Sequence, residues 1–505
     1  MTLPRFFDSV FWSIRFQRDA ALDEDGVRRA AAACVPQIIA LGGADRQSGC
    51  AEGMRTFVNL AARTFAAISL DVEPALRGEL VKLARAINPR IDLAPRTSTA
   101  RVTWGEGGPA YPSALWVGGR DWTASVSRAA SVPSTPNRAA GAVAGILAYG
   151  ELFKIAFAEF LGGEWEPIDT AHLSLLTYRV AANAEADGVG WPTAVSLGNA
   201  HLVGLGAVGM AALAAVRMFR GLSGHLTLID NQRVDLSNLQ RYLLAFDADA
   251  TSKLHKVDVA HREMKRTGLV ISGKASTWER YLADLRNQQW RFERVVTALD
   301  SAFARQLVQA SLPREILNGG ITRSVLDVGR YGFDGVRECL NCAYQHAPPP
   351  PALELMRQTF GLSPARLQQL EDDNSGLNLT DVRVIESHVG RPGQLAFLIG
   401  QSVRSAYLRM CGFAALPRRT LAENEPALVP AAHIPALCGM LLGIELVKGS
   451  VAELTPFRLD HLFQFDARYG LNPAFQLTAL QLLDGPCVCQ DPRYQAAYRA
   501  KWPAT

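Results

Sequence analysis

Residues Val203–Gly209 read VGLGAVG, a G-x-G-x-x-G spacing between an apolar run (His201–Val203) and the Ala-rich run Met210–Phe219. In such a strand–turn–helix, Gly204 permits the tight turn, Gly206 lets backbone approach a phosphate, and Gly209 lets helix and strand pack closely. The helix beyond offers unpaired N–H groups and a partial positive charge to an anion. His225–Asp230 (HLTLID) reads as a second strand whose terminal carboxylate is placed to accept ribose hydroxyls. Downstream, Asn238, Arg241 and Lys256 follow that carboxylate, and an Arg and a Lys there could reach the β- and γ-phosphates of ATP. Arg294–Asp300 (RVVTALD) is a further strand, and Asp300 at its carboxyl end could hold Mg²⁺ with several waters.

The eight cysteines sort by spacing. Cys339-Leu-Asn-Cys342 and Cys487-Val-Cys489 are two close pairs, and four thiolates would make a closed tetrahedral Zn²⁺ site. A redox Cys-x-x-Cys is the other reading, without a thioredoxin-like context to favour it. Cys34, Cys50, Cys411 and Cys438 remain. Cys411 closes a helical run, and Arg404 and Arg409 nearby would lower its pKa. Cys438 opens an apolar helix, where burial as a core thiol competes with a nucleophilic role.

The elements that must hold these residues follow from pattern. With 505 residues the chain exceeds one domain, and 48% hydrophobic against 20% charged residues describe an ordinary soluble protein. A net charge of +4 gives no footing for nucleic acid. No window holds the uninterrupted apolar run of a membrane helix; Ala139–Phe157 comes nearest but contains Glu151 and Lys154. The N-terminus lacks a signal-peptide pattern, so a cytoplasmic location is expected, with no membrane partner. Helix patterns cover Gly26–Val35, Val81–Ile87 and Ala139–Lys154, Ser113–Val117 and Trp122–Ser127 read as strands, and Thr56–Ser69 fits either. Glu315–Ile321 and Ser324–Val328 are further strands, with Asp334-Gly335 as a hairpin signal. Gly145, Glu151 and Lys154 recur in register as Gly439, Glu445 and Lys448, which suggests two related α/β units in tandem or a coincidence of two ordinary helices.

Taken together, the glycines, Asp230, Ser-Asn-Leu-Gln-Arg (237–241), Asp-Ala-Thr-x₄-Lys-Val (249–257) and Asp300 resemble the ThiF-like adenylyltransferase and ubiquitin-activating enzyme family over roughly residues 194–490. The resemblance implies that Asp230 binds the ATP ribose, Asn238, Arg241 and Lys256 handle phosphates, and Asp300 holds Mg²⁺. It implies that Arg18, in Arg15-Phe-Gln-Arg18, reaches the ATP of an opposite unit. Tyr242 stands where the family usually has Gln, Thr251-Ser252 where a Gly is common, and the second cysteine pair has a spacer one residue short.

The expected architecture is α/β, two tandem Rossmann-like adenylation units with parallel-type doubly wound sheets, the first degenerate because it has no G-x-G-x-x-G. The expected domains are 1–162 (degenerate unit), 163–193 (polar connector), 194–347 (ATP-binding unit), 348–430 (crossover insertion bearing Cys411) and 431–505 (return with the second half of the zinc site). The favoured function is adenylation of the C-terminal Gly of a ubiquitin-like protein with ATP, followed by a thioester on Cys411, or else Cys438, and transfer to a conjugating enzyme, as in antiviral-defence-type conjugation systems. The alternative stops at the acyl-adenylate, as in sulfur-carrier activation for cofactor biosynthesis. A non-catalytic nucleotide scaffold and a dinucleotide oxidoreductase explain less of the motif set.

Overall fold

The computed structural model describes residues 2–15, 22–95, 97–106, 114–162, 165–181, 183–184, 186–285, 290–322, 324–333, 337–344, 356–357, 359–373, 375–389, 392–393, 395–403, 406, 430–469 and 487–503. Two seven-stranded sheets dominate them. The first is built from β1 (Pro36–Ala40), β2 (Ser69–Asp71), β3 (Ala100–Trp104), β4 (Ala114–Arg120), β5 (Thr123–Ser127), β6 (Thr170–Ser174) and β7 (Val180–Ala181), in the order 2-1-3-4-5-6-7. The second is built from β8 (Val195–Val203), β9 (Leu222–Ile229), β10 (Val270–Lys274), β11 (Arg294–Thr297), β12 (Glu315–Thr322), β13 (Val325–Tyr331) and β14 (Leu462–Asp466), in the order 10-9-8-11-12-13-14.

The expected parallel-type sheets are in fact mixed. Strands β1–β4 and β8–β12 run parallel, whereas β5–β7 and β13–β14 run antiparallel. For β5 and β13 the cause is chain length. Only two residues separate β4 from β5 and β12 from β13, enough for a hairpin but far short of the crossover a parallel neighbour needs. The hairpin signal at 334–335 lies outside the described residues. Part of the stretch read as a connector, 163–193, supplies β6 and β7 to the first sheet.

In each sheet, a helix leaving the first strand packs against a later helix that is buried along almost its whole length. Ser48–Ala61 meets Arg138–Ala156, and Ala207–Val216 meets His433–Lys448. A Cβ on Gly145 would strike the Gly53 backbone, and one on Gly439 the Val208 backbone, so both pairs depend on glycine for their approach. Helices buried on every side carry no polar face. The 19-residue helix Arg138–Ala156, with a mean hydropathy of 1.4, is long and apolar enough to cross a membrane, yet 89% of its apolar window is buried within the protein.

Each later helix buries one Glu–Lys pair. Glu151 and Lys154 sit 2.8 Å apart, as do Glu445 and Lys448. Glu151 accepts the Ile168 N–H at 2.8 Å just before β6, and Glu445 accepts the Leu459 N–H at 2.9 Å just before β14. Each pair thereby satisfies the backbone of the chain entering an antiparallel strand, which is what such a buried charge must do to be tolerated. One continuous apolar core links both sheets, and residues 356–406 enclose a smaller one around Phe360, Leu367 and Ile385.

Candidate active site

Register brings the candidate residues together. Val203 pairs with Ile229 on one side and Thr297 on the other, so the carboxyl ends of β8, β9 and β11 meet. This is where open α/β sheets place ligands. Gly204 leaves β8 with φ +91°, a conformation costly to residues with a Cβ, and its N–H donates to the Ile229 carbonyl at 2.9 Å. Gly209 lies so close to the Gly204 carbonyl that a Cβ would collide with it, whereas among the described residues beyond its own turn Gly206 has no atom within 4 Å of where its Cβ would stand. The turn therefore uses one glycine for conformation, one for packing and one for open space.

Asp230 is oriented by backbone. One oxygen accepts the Leu205 N–H and the other the Gln232 N–H, both at 2.7 Å. Lys256 is buried, with Nζ 4.0 Å from Asp230 Oδ2, 2.5 Å from Gln232 Oε1 and 5.1 Å from the Tyr242 ring centre. Burial pulls its ammonium down, but Asp230, Tyr242 and Asp300 outweigh that and hold it above the ordinary lysine value. Asp300 itself is exposed, just past the end of β11. Lys256 is thus kept charged beside two carboxylates.

Arg241 ends the 3₁₀ turn Leu236–Arg241 and donates to Asn238 Oδ1 at 2.7 Å. Burial pulls its pKa down, against a smaller upward push from Tyr242. Its Nη1 is buried with no hydrogen-bond partner among the described residues; a planar guanidinium fork is the geometry that suits phosphate oxygens. Tyr242, in the place of the family's Gln, lies under both cations, 5.8 Å from Arg241 and 5.1 Å from Lys256. Gln232 was not legible as a site residue, although a polar residue two places after a strand-end Asp is the pattern of an Asx turn. Asp249 has a structural part, bonded to Arg262 at 2.5 and 3.0 Å and to the Phe246 N–H at 2.9 Å.

Away from this site the four paired cysteines converge. Sulfur separations are 3.8 Å (Cys339–Cys342), 3.7 Å (Cys339–Cys487), 3.1 Å (Cys342–Cys487) and 3.4 Å (Cys342–Cys489), and all four Sγ lie within 4.8 Å of one another. Ligands at ~2.3 Å in a tetrahedron lie about 3.8 Å apart, so the donor set fits such an ion, and the short Cys-x-Cys spacer still delivers both sulfurs. Cys438 is a different case. It is fully buried, its Sγ 3.4 Å from the Asp327 carbonyl, and burial drives its thiol well above the ordinary value. It sits in the structure as a core thiol, an environment that disfavours thiolate. Cys34 and Cys50 are buried as well. Cys411 and Arg18 lie outside the described residues.

The ThiF family profile matches residues 195–478, more than half the chain and all of the site above. The chain belongs to the ThiF family. A relative in Sinorhizobium fredii (strain NBRC 101917 / NGR234), the uncharacterized protein y4jF, is 32% identical over 496 residues, covering 93% of this chain and 92% of that protein. Among solved structures, this ThiF-family chain is similar to E. coli MccB with SeMet MccA (15% identity, 53% of this chain and 60% of that chain, TM-score 0.32). It is similar also to E. coli MccB with ATP (15% identity, 53% and 61%, TM-score 0.32). The chain spans about three-fifths of the length of these MccB chains.

Proposed function

We propose that this protein adenylates the C-terminal glycine of a ubiquitin-like protein with ATP and then carries the activated modifier as a thioester to a conjugating enzyme. The observation that supports this most is the buried arm of Arg241, without a partner among the described residues, which is bonded to Asn238 through its other arm and shares the Tyr242 ring with Lys256, within the span matched to the ThiF family. Asp230 would hold the ribose, the Gly204–Gly209 turn the phosphates, and Arg241 and Lys256 the charge that builds on them. A carboxylate oxygen of the substrate attacks the α-phosphorus, and the bond from that phosphorus to the bridging oxygen breaks. Pyrophosphate leaves and an acyl-adenylate remains. Fixed cations suffice for such a step, because the chain need form no bond of its own. Asp300, an exposed carboxylate at a strand end, would hold Mg²⁺, which when bound offsets the charge of the departing pyrophosphate. Cys411 would then attack the acyl carbonyl as thiolate, with AMP as leaving group. Cys339, Cys342, Cys487 and Cys489 would hold a structural Zn²⁺.

The first unit would be a degenerate partner of the second. The matching helix pairs, each with its buried Glu–Lys, support that reading, as does the packing of the helix Phe7–Arg15 against the 236–241 turn; Arg18 would serve the ATP from the first unit. The test is to mix the chain with ATP, Mg²⁺ and a ubiquitin-like protein ending in glycine, then to follow AMP release and adducts by mass spectrometry. We expect a covalent adduct removed by dithiothreitol and absent in Cys411→Ala. AMP formation with no thiol-sensitive adduct would leave the sulfur-carrier reading in its place.

A further inference from the structure

Arg63 follows the helix Ser48–Ala61 of the first sheet, and none of it reaches solvent. Among the described residues no carboxylate pairs with it. Its guanidinium instead donates to backbone and amide oxygens. Nε meets Asn59 Oδ1 at 2.9 Å, Nη2 meets the Ala245 carbonyl at 3.1 Å, and Nη1 meets the Leu239 carbonyl. Asn59 Nδ2 donates in turn to the Leu243 carbonyl at 3.0 Å. Three carbonyls of one irregular segment are therefore satisfied by two side chains from the other sheet, some 180 residues earlier in the chain. That segment carries Asn238, Arg241 and Tyr242.

A guanidinium buried without a counter-charge costs several kcal/mol, about what makes such a group rare unless its hydrogen bonds are complete. Burial pulls Arg63 down to about 9. A packing role alone would be served better by an apolar side chain. The planar fork is different: it holds two carbonyls at a fixed separation, which a lysine cannot do. Beyond the 3₁₀ turn Leu236–Arg241, segment 236–246 has no strand ladder to define its backbone, and the fork and Asn59 bond three of its carbonyls.

We infer that Arg63, held by Asn59, is a positioning residue through which the first unit sets the phosphate-binding segment of the second. This rests on the adenylation reading above and adds what the first unit contributes to it: the site is incomplete without the clamp from the other sheet.

The experiment uses the full chain and needs no protein substrate. Binding of the non-hydrolysable analogue AMPCPP is measured by calorimetry, and amide exchange over residues 236–246 by mass spectrometry without nucleotide. Arg63→Met is expected to weaken AMPCPP binding by roughly 10- to 100-fold, the order that a small misplacement of binding groups causes. It should also speed exchange across the segment, with Arg63→Lys between it and wild type. Lys256→Ala, by contrast, should lose affinity while the segment stays protected. A folded Arg63→Met with affinity and exchange both within twofold of wild type overturns the inference. Should Arg63→Met not fold, Asn59→Ala must show the same two changes at smaller size, and no change there overturns it equally. A wild-type chain that binds no AMPCPP sinks the adenylation reading, and the exchange data still decide the clamp.

Discussion

Gly206 and Gly209 stand three residues apart in one turn, and alanine at each should fail in opposite ways. At Gly206 the backbone is extended (φ −72°, ψ −158°) and no described residue beyond its own turn lies within 4 Å of the added methyl, so Gly206→Ala is free of strain. By restricting the unfolded chain it should even be neutral to ~1 kcal/mol stabilising. The methyl, however, fills the space through which backbone N–H groups would approach a phosphate. Losing one or two charge-assisted hydrogen bonds at ~1.5–3 kcal/mol each predicts a 10-fold or greater loss of nucleotide affinity. At Gly209 the methyl would meet the Gly204 carbonyl, and backbone on that side cannot rotate away. Overpacking of this kind costs about 1–3 kcal/mol and should lower the melting temperature. Calorimetry with AMPCPP and thermal unfolding on both variants separate the two effects. Gly206→Ala with wild-type affinity would refute the assignment of the turn as a phosphate site.

Two further outcomes follow from groups outside the site. Burial, helped by Lys154, pulls His433 down to about 3, so the folded chain keeps it neutral long after the unfolded chain has protonated it. Stability from this residue is complete above pH ~6.5 and falls by ~1.4 kcal/mol per pH unit below that, or about 2 kcal/mol by pH 5. His433→Phe should lose correspondingly less stability between pH 7 and pH 5 in urea unfolding, and an equal loss in both proteins would show that the ring is protonated when folded. The cysteine cluster predicts one zinc per chain by elemental analysis, retained on dialysis and lost in Cys489→Ser together with stability; a purified chain with no metal and intact folding would contradict it.

Much of the candidate nucleotide site was legible because its residues announce themselves locally. Gly204–Gly209, Asp230, Asn238, Arg241 and Lys256 follow one another within some fifty residues of chain, and the register of β8 with β9 and β11 brings the glycine turn and Asp230 to the strand end that precedes Asp300. The cysteine spacing was equally direct. What pattern could not reveal depends on partners far away in the chain. The mixed character of the sheets rests on two-residue hairpins whose turn residues carry no strong signal. β6 and β7 lie in a stretch whose polarity reads as a linker, and the complete burial of Cys438 is set by packing between distant elements. Arg63 has no motif at all; its role exists only because tertiary folding lays it against residues 239–245.

Pyrophosphate exchange tests the central claim most directly. With ATP, Mg²⁺ and a ubiquitin-like protein ending in glycine, the chain should return labelled pyrophosphate to ATP, and Lys256→Ala should abolish that exchange while keeping its fold. Exchange that persists at the wild-type rate in Lys256→Ala, or that never depends on the C-terminal glycine, would contradict the account.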